Sequence, residues 1–194
     1  MTIRTIGVLI SLLVAATVTL TGGCQSTTPV EQQAASVAEA NTLESNARTA
    51  LEQLYETTPS AKMLGDKAKG VLVFPSIVKA GLMAGGQYGR GVLFKQGRVA
   101  GYYNTVAASF GLQAGAQSFS YAMFLMNDNA LNYLDRSGGW EIGVGPSVVV
   151  VDAGVARSLT TTTAREDVYA FTFGQQGLMA GIGLQGSKIT KITP

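Results

Sequence analysis

The residue types that most often do chemistry are nearly missing from this chain, and their absence narrows the function before any pattern is considered. Among 194 residues there is no His. Ser-His-Asp and Cys-His catalysis, His-ligated metal sites and imidazole pH sensing are therefore excluded. A single Cys, Cys24, excludes an internal disulfide and any multi-Cys metal cluster. Carboxylates remain: Asp128, Asp135, Glu141, Asp152, Glu166 and Asp167 lie in the strand-rich part of the chain. None forms a recognisable site motif, and a strand sends adjacent residues such as Glu166 and Asp167 to opposite faces. No catalytic residue, metal or cofactor is predicted, and the chain reads as a non-enzyme.

What chemistry is left is charge and interface. Only 13% of residues are charged, roughly half the usual share. The formal net charge of +2 is too small to argue for nucleic acid. The charge is unevenly placed, however. Residues 24–56 carry five acids against one base, whereas residues 57–100 carry Lys62, Lys67, Lys69, Lys79, Arg90, Lys95 and Arg98 against Asp66, an excess of +6. These seven cations are candidate contacts for anionic headgroups, at up to about 1 kcal/mol each if near a membrane surface. Ordinary solvated surface, and for Lys67 and Lys69 the negative end of a short helix, account for the same charges. Tyr88, Tyr102 and Tyr103 are candidates for the headgroup level, with sheet packing as the alternative.

The elements that must position these residues begin with an address. Arg4 is followed by the apolar run Ile6–Leu20 and then Thr21-Gly22-Gly23-Cys24, the layout of a secretory signal. The run is short of the roughly 20 residues that span a bilayer. It resembles a bacterial lipoprotein signal, with Thr21 where such signals usually carry Leu. That resemblance implies that Cys24 is acylated and becomes the first mature residue. Gln25, rather than Asp, after the Cys resembles the pattern of lipoproteins sent to the outer membrane. The implied organisation is a signal over 1–23, a polar tether over 24–33 and one domain over 34–194.

Within the domain, Val37, Ala40, Leu43, Ala47, Ala50, Leu51 and Leu54 recur at helical steps and predict a helix over Ala34–Tyr55. Further helices are expected over Ser60–Lys69, opened by Thr58-Pro59, and over Asn127–Arg136. From Val71 the texture changes to strands: Val71–Phe74 stopped by Pro75, Gly81–Phe94, Val99–Val106, Ala108–Gln117, Phe119–Met126, Trp140–Val151, Asp167–Phe173, Gly177–Leu184 and Lys188–Ile192. Lys95-Gln96-Gly97-Arg98 and Gln175-Gln176-Gly177 read as hairpin turns, so antiparallel pairing is expected. The fold class is α+β: N-terminal helices packed on a strongly curved, Gly-rich antiparallel sheet or small barrel. Glycines interrupt these strands at 81, 85, 86, 89, 91, 111, 115, 143, 145, 181 and 183. Curvature explains them, and so does close approach of an acyl chain to bare backbone.

Several blocks, in order, carry a family resemblance: VLVFPSIVK at 71–79, GRGVLF at 89–94, GYYNT at 101–105, SFGLQAGAQS at 109–118, GWEIGVGPSVVVV at 139–151 and GLMAGIGLQGSKITKI at 177–192. Together they resemble the SYLF-domain family over about residues 55–192. Eukaryotic members occur in actin-patch and endocytic proteins, where the domain binds phosphoinositide membranes and, in some fungal members, actin. Bacterial members are usually short secreted or lipid-anchored proteins. The resemblance implies a phospholipid membrane and a lipid ligand as partners. Actin binding is not expected, since a bacterial envelope offers none, and the sequence leaves the oligomeric state open. Animal members hold phosphoinositides with a basic amphipathic segment at the start of the domain. Here the corresponding helix is acidic outside, so the cations of residues 57–100 are the candidates instead. The expected function is therefore a non-catalytic module anchored to a bacterial membrane, binding anionic phospholipid or phosphoinositide headgroups. The alternative is a structural or protein-interaction lipoprotein of the envelope.

Overall fold

The computed structural model describes residues 28–136, 138–142, 145–151, 156, 159–160, 164–177 and 187–193. The signal, Cys24, Asp152 and most of the strand expected at 177–184 lie outside them. Helix α1 runs over Pro29–Thr57, longer than expected. Thr28 and Glu31 form a capping box, with Pro29 in the first turn, so the helix begins inside the segment read as a tether. Helix α2 covers Pro59–Gly65 with Asp66 as its C-cap, so Lys67 follows directly at the negative helix end and Lys69 lies beyond it. Helix α3, Asp128–Leu134, is capped by the Asn127 side chain, which accepts from the Ala130 amide at 2.9 Å.

Two very long strands dominate the rest. Strand β1 covers Gly70–Lys95 and β2 covers Arg98–Leu125. They pair antiparallel from Gly70↔Leu125 to Lys95↔Arg98. The expected breaks at Pro75, Ala107 and Ser118 do not end these strands. Pro75 falls in a register shift between Phe74 and Ile77, where a strand tolerates a residue without an amide donor, and its carbonyl accepts from Ser120 Oγ at 2.8 Å. The turn joining the strands has φ of 50° at Gln96 and 72° at Gly97, the left-handed pair of a two-residue hairpin.

The other edge of β2 is shared. Its first half pairs with β6, Lys188–Ile192, and its second half with β5, Val168–Gly177. The turn expected at Gln175–Gly177 is the end of β5 itself. Outside these, β3, Trp140–Glu141, pairs with β6, and β4, Val148–Val151, pairs with β5. The β4–β5 pair is parallel, against the expectation, because segment 152–167 between them is long enough for a crossover. The single strand expected over Trp140–Val151 is split. Gly145, at φ 104°, lies between its two parts against the Tyr133 ring.

A straight strand of β1's length would reach about 85 Å at roughly 3.3 Å per residue. Instead its two ends meet. A Cβ on Gly70 would stand 3.4 Å from the Phe94 carbonyl, one on Gly91 would stand 2.7 Å from the Val73 carbonyl, and one on Gly89 3.0 Å from that of Ser76. The ribbon is therefore folded over on itself, and the sheet is strongly curved in an α+β fold. At Gly89 and Gly91 the backbone that approaches the glycines is the protein's own.

The curved sheet buries both faces. Its inner face holds Leu72, Phe74, Ile77, Leu93, Tyr103, Phe119, Tyr121 and Ile189, closed at the open end by α3 and Trp140. Its outer face carries Val71, Val73, Val92, Phe94, Ala122, Phe124 and Phe171 against α1 and α2. Ala40, Ala47 and Ala50 are the buried face of α1 together with Leu54, so the long helix lies close to the strands.

Candidate functional site

The seven cations singled out in the sequence do not form one surface. Lys79 points into the folded ribbon and is only 9% exposed, so it leaves the set of surface contacts. Arg90 is paired with Glu39 of α1, and Lys62 with Asp66 one helical turn away. The acidic face of α1 is thus partly turned toward β1. Lys67, Lys69 and Arg98 are exposed and Lys95 is half-buried.

Three of these four are brought together by the fold-over. Because Gly70 sits against Phe94, Lys69 and Lys95 come from opposite ends of β1 to the same end of the molecule, with Arg98 across the hairpin from Lys95. Lys191 of β6 joins them through Asp135, which accepts from its ammonium at 2.9 Å and also feels the charge of Lys95. Arg48 reaches the same end from α1, with its guanidinium 4.8 Å above the Phe94 ring and 3.1 Å from the Gly97 carbonyl. Lys191 and Arg48 were not singled out in the sequence, since each is distant in the chain and sits in an acidic or balanced stretch.

The tyrosines divide. Tyr103 is fully buried and donates its hydroxyl to Asp135 at 2.8 Å, so it is a core residue and not an interfacial one. Burial, reinforced by that carboxylate, pushes its hydroxyl well above the usual phenol range. Tyr102 is half-buried against the outer core. Tyr88 is 51% exposed, beside its cross-strand partner Val106 at 48%. That pair lies toward the bend of the ribbon, far from the basic end.

Asp135 links these groups. Burial opposes its ionisation, but hydrogen bonds from Lys191 and Tyr103 outweigh this and hold the carboxyl below its usual range. A carboxyl depressed on folding stabilises the native state above its unfolded value of about 3.9, and that stabilisation is lost as pH falls through the lower folded value. Asp135→Ala is expected to cost about 1–3 kcal/mol at pH 7, because it strands the buried Tyr103 hydroxyl. Urea titrations at pH 7 and pH 3 check this, and the gap between parent and variant should narrow at the lower pH. The other described carboxylates near α3 and β5 also serve the fold. Asp167 accepts from Asn127 Nδ2, and Glu166 accepts from Ser147 Oγ at 2.7 Å.

The fold-over also buries polar groups. Lys79 and Gln117 are cross-strand neighbours on the inner face, and Gln87 and Thr105 lie on the same face farther along the ribbon. Gln87 Nε2, Gln117 Nε2, Thr105 Oγ1, Tyr121 OH and Trp140 Nε1 have no hydrogen-bond partner among the described residues. Each such buried group costs about 1–3 kcal/mol. A separate cleft of about 380 Å³ opens between α1 and the sheet, lined by neutral groups including Asn46, Thr49, Gln53, Ser118 and Ser120.

Residues 106–193 match the model of the Ysc84 family, described as Las17-binding protein actin regulator. The match to the Ysc84, or SYLF, domain is thus confined to these residues, a little under half of the chain. The matched segment takes in most of β2 and the chain after it up to residue 193, whereas VLVFPSIVK and GRGVLF precede it. The chain is also 33% identical over 143 residues to Beta cell expansion factor A of Aeromonas veronii, a match covering 73% of this chain and 53% of that protein. The chain thus spans about half the length of that curated relative. SYLF domains form a non-enzymatic family associated with lipid binding and with actin-patch proteins. Among the described residues, no helix is long and apolar enough to cross a membrane.

Proposed function

We propose that this chain is a non-catalytic module that binds anionic phospholipid, phosphoinositide included, through the basic end of its folded ribbon. The supporting observation is the convergence of Lys69, Lys95 and Arg98 from strand ends that the fold-over brings together, with Lys191 beside them. The part of the ribbon toward its bend is uncharged: residues 80–89 and 104–116 contain no charged side chain. A headgroup layer would meet these cations at one end of the ribbon. In this reading Cys24 carries acyl chains that hold the protein at the outer membrane of a bacterial envelope. The lipid-binding end then adds headgroup contacts to that anchor.

The test uses the full chain with Cys24→Ser, so that acylation does not supply the binding. It should associate with vesicles containing anionic phospholipid and largely ignore zwitterionic ones. Attraction of this kind is screened over about 8 Å at physiological salt, so binding should fall as salt rises. Lys95→Glu with Arg98→Glu should weaken it about tenfold or more, at roughly 1 kcal/mol for each charge removed or reversed. Arg90 is the wrong residue for this test because Glu39 already pairs with it. If the folded double variant binds anionic vesicles as tightly as its parent, the basic end is not the headgroup site. A second reading, a protein-interaction lipoprotein, is favoured by the exposed Tyr88–Val106 pair on the ribbon. Tyr88→Ser should leave vesicle binding unchanged if the basic end carries it.

A further inference from the structure

The polar layer inside the ribbon has a geometry of its own. A Cβ on Gly89 would lie 2.7 Å from Ile77 Cγ1, so the two arms of β1 face each other at that level. One step toward the bend on each arm, on the same inward face, come Lys79 and Gln87. Gln117 stands directly across the ladder from Lys79, and Thr105 directly across from Gly89. Thr105 continues laterally to Ile189 and then to Trp140, whose indole N–H lies on the same inner core. Gln87 and Gln117 are each 6% exposed and Thr105 is fully buried, and all three carry a polar atom without a partner among the described residues. The unpartnered nitrogens are amide and indole N–H donors. An apolar core of this size has no use for such a layer, since Leu or Val would fill the same volume without stranded donors.

We infer that the interior of the folded ribbon is a binding site for an anionic, acceptor-only group, a carboxylate or phosphate, held by Gln87, Gln117 and Thr105. Two side-chain amides and a hydroxyl supply donors from opposing walls, and an acceptor-only oxygen group is what such a set satisfies. The same chemistry is offered by the head of a fatty acid or lysophospholipid and by a free anion. The site is separate from the basic end: it faces inward, and none of its three unpartnered residues is charged. Its failure therefore leaves the headgroup reading standing, and the reverse also holds.

The experiment measures binding of three probes to the full chain with Cys24→Ser, by calorimetry: oleate, acetate and inorganic phosphate. Oleate below its micelle concentration, with acetate silent, identifies an amphiphile with its head in the polar layer. Phosphate or acetate binding with comparable strength identifies a free-anion site. Gln87→Leu with Gln117→Leu should weaken whichever probe binds at least tenfold, while binding to anionic vesicles stays at the parental level. Thr105→Val should weaken the same probe and serves if the double variant fails to fold. Lys95→Glu with Arg98→Glu should leave the probe unaffected. No binding of any probe at millimolar concentration overturns the inference, as does undiminished binding by the folded Gln87/Gln117 variant.

Discussion

Gly91→Ala is expected to destabilise the domain by about 3 kcal/mol or more, a large share of the stability of an ordinary domain. The added Cβ would stand 2.6 Å from Phe74 Cδ1 and 2.7 Å from the Val73 carbonyl oxygen. Neither can give way easily. Phe74 is fully buried among the inner-face side chains, and Val73 belongs to the ladder with Ala122. Relief requires the two arms of β1 to separate, which undoes the fold-over that closes the core. Gly86→Ala is the matched control. It stands in the same strand, and its nearest neighbour would be the Ala107 carbonyl at 3.6 Å, an ordinary contact. There the change should be neutral or stabilising by up to about 1 kcal/mol, because glycine loses more chain entropy on folding. Urea unfolding midpoints at unchanged m-value measure both. Equal midpoints for the two variants would contradict a ribbon folded onto itself at Gly91.

That contrast also marks where the sequence was legible. The hairpin at Lys95–Arg98 and the strand Lys188–Ile192 rest on local signals and stand where the pattern places them, and the Ala-striped stretch is helical as its period predicts, though the helix extends beyond Ala34–Tyr55 at both ends. The capping box of Thr28 and Glu31 was equally local but was obscured by a polar, Pro-containing stretch that also suits a tether. What sequence periodicity could not give is continuity. Pro75 and the glycines are strand breakers by propensity, yet a bulge absorbs the proline, and at Gly89 and Gly91 facing backbone occupies the space that side chains would need. The grouping of the candidate cations is hidden from the sequence for the same reason. Seven cations close in sequence look like one patch, but alternation along β1 turns Lys79 inward and the fold-over carries Lys69 to Lys95. Gln87, Gln117 and Thr105 gave no signal at all, because isolated polar residues in strands ordinarily face solvent.

Trp140→Ala is the second change expected to be severe, at about 3–5 kcal/mol, the range for deleting a large buried aromatic side chain. Trp140 is fully buried, packs edge-on against Tyr133 with ring centroids 5.6 Å apart, and lies on the inner core beside α3. Strand β3 contains only two residues, so its ladder with β6 is too short to hold it in place. The indole is the anchor, and without it both β3 and the cover over Ile189 are lost. Trp140→Phe separates packing from hydrogen bonding. Because Nε1 has no acceptor among the described residues, the phenyl ring forfeits volume but no hydrogen bond to them, and the cost should stay below about 2 kcal/mol. The chain has one tryptophan, so its fluorescence reports this site alone. Emission should be blue-shifted in the native protein and move to the red in a single step with urea, in parallel with the loss of far-ultraviolet circular dichroism. A red-shifted emission from the folded protein, or a fluorescence change that precedes the backbone transition, would mean that β3 is not docked on the sheet and that the inner core is open at this edge.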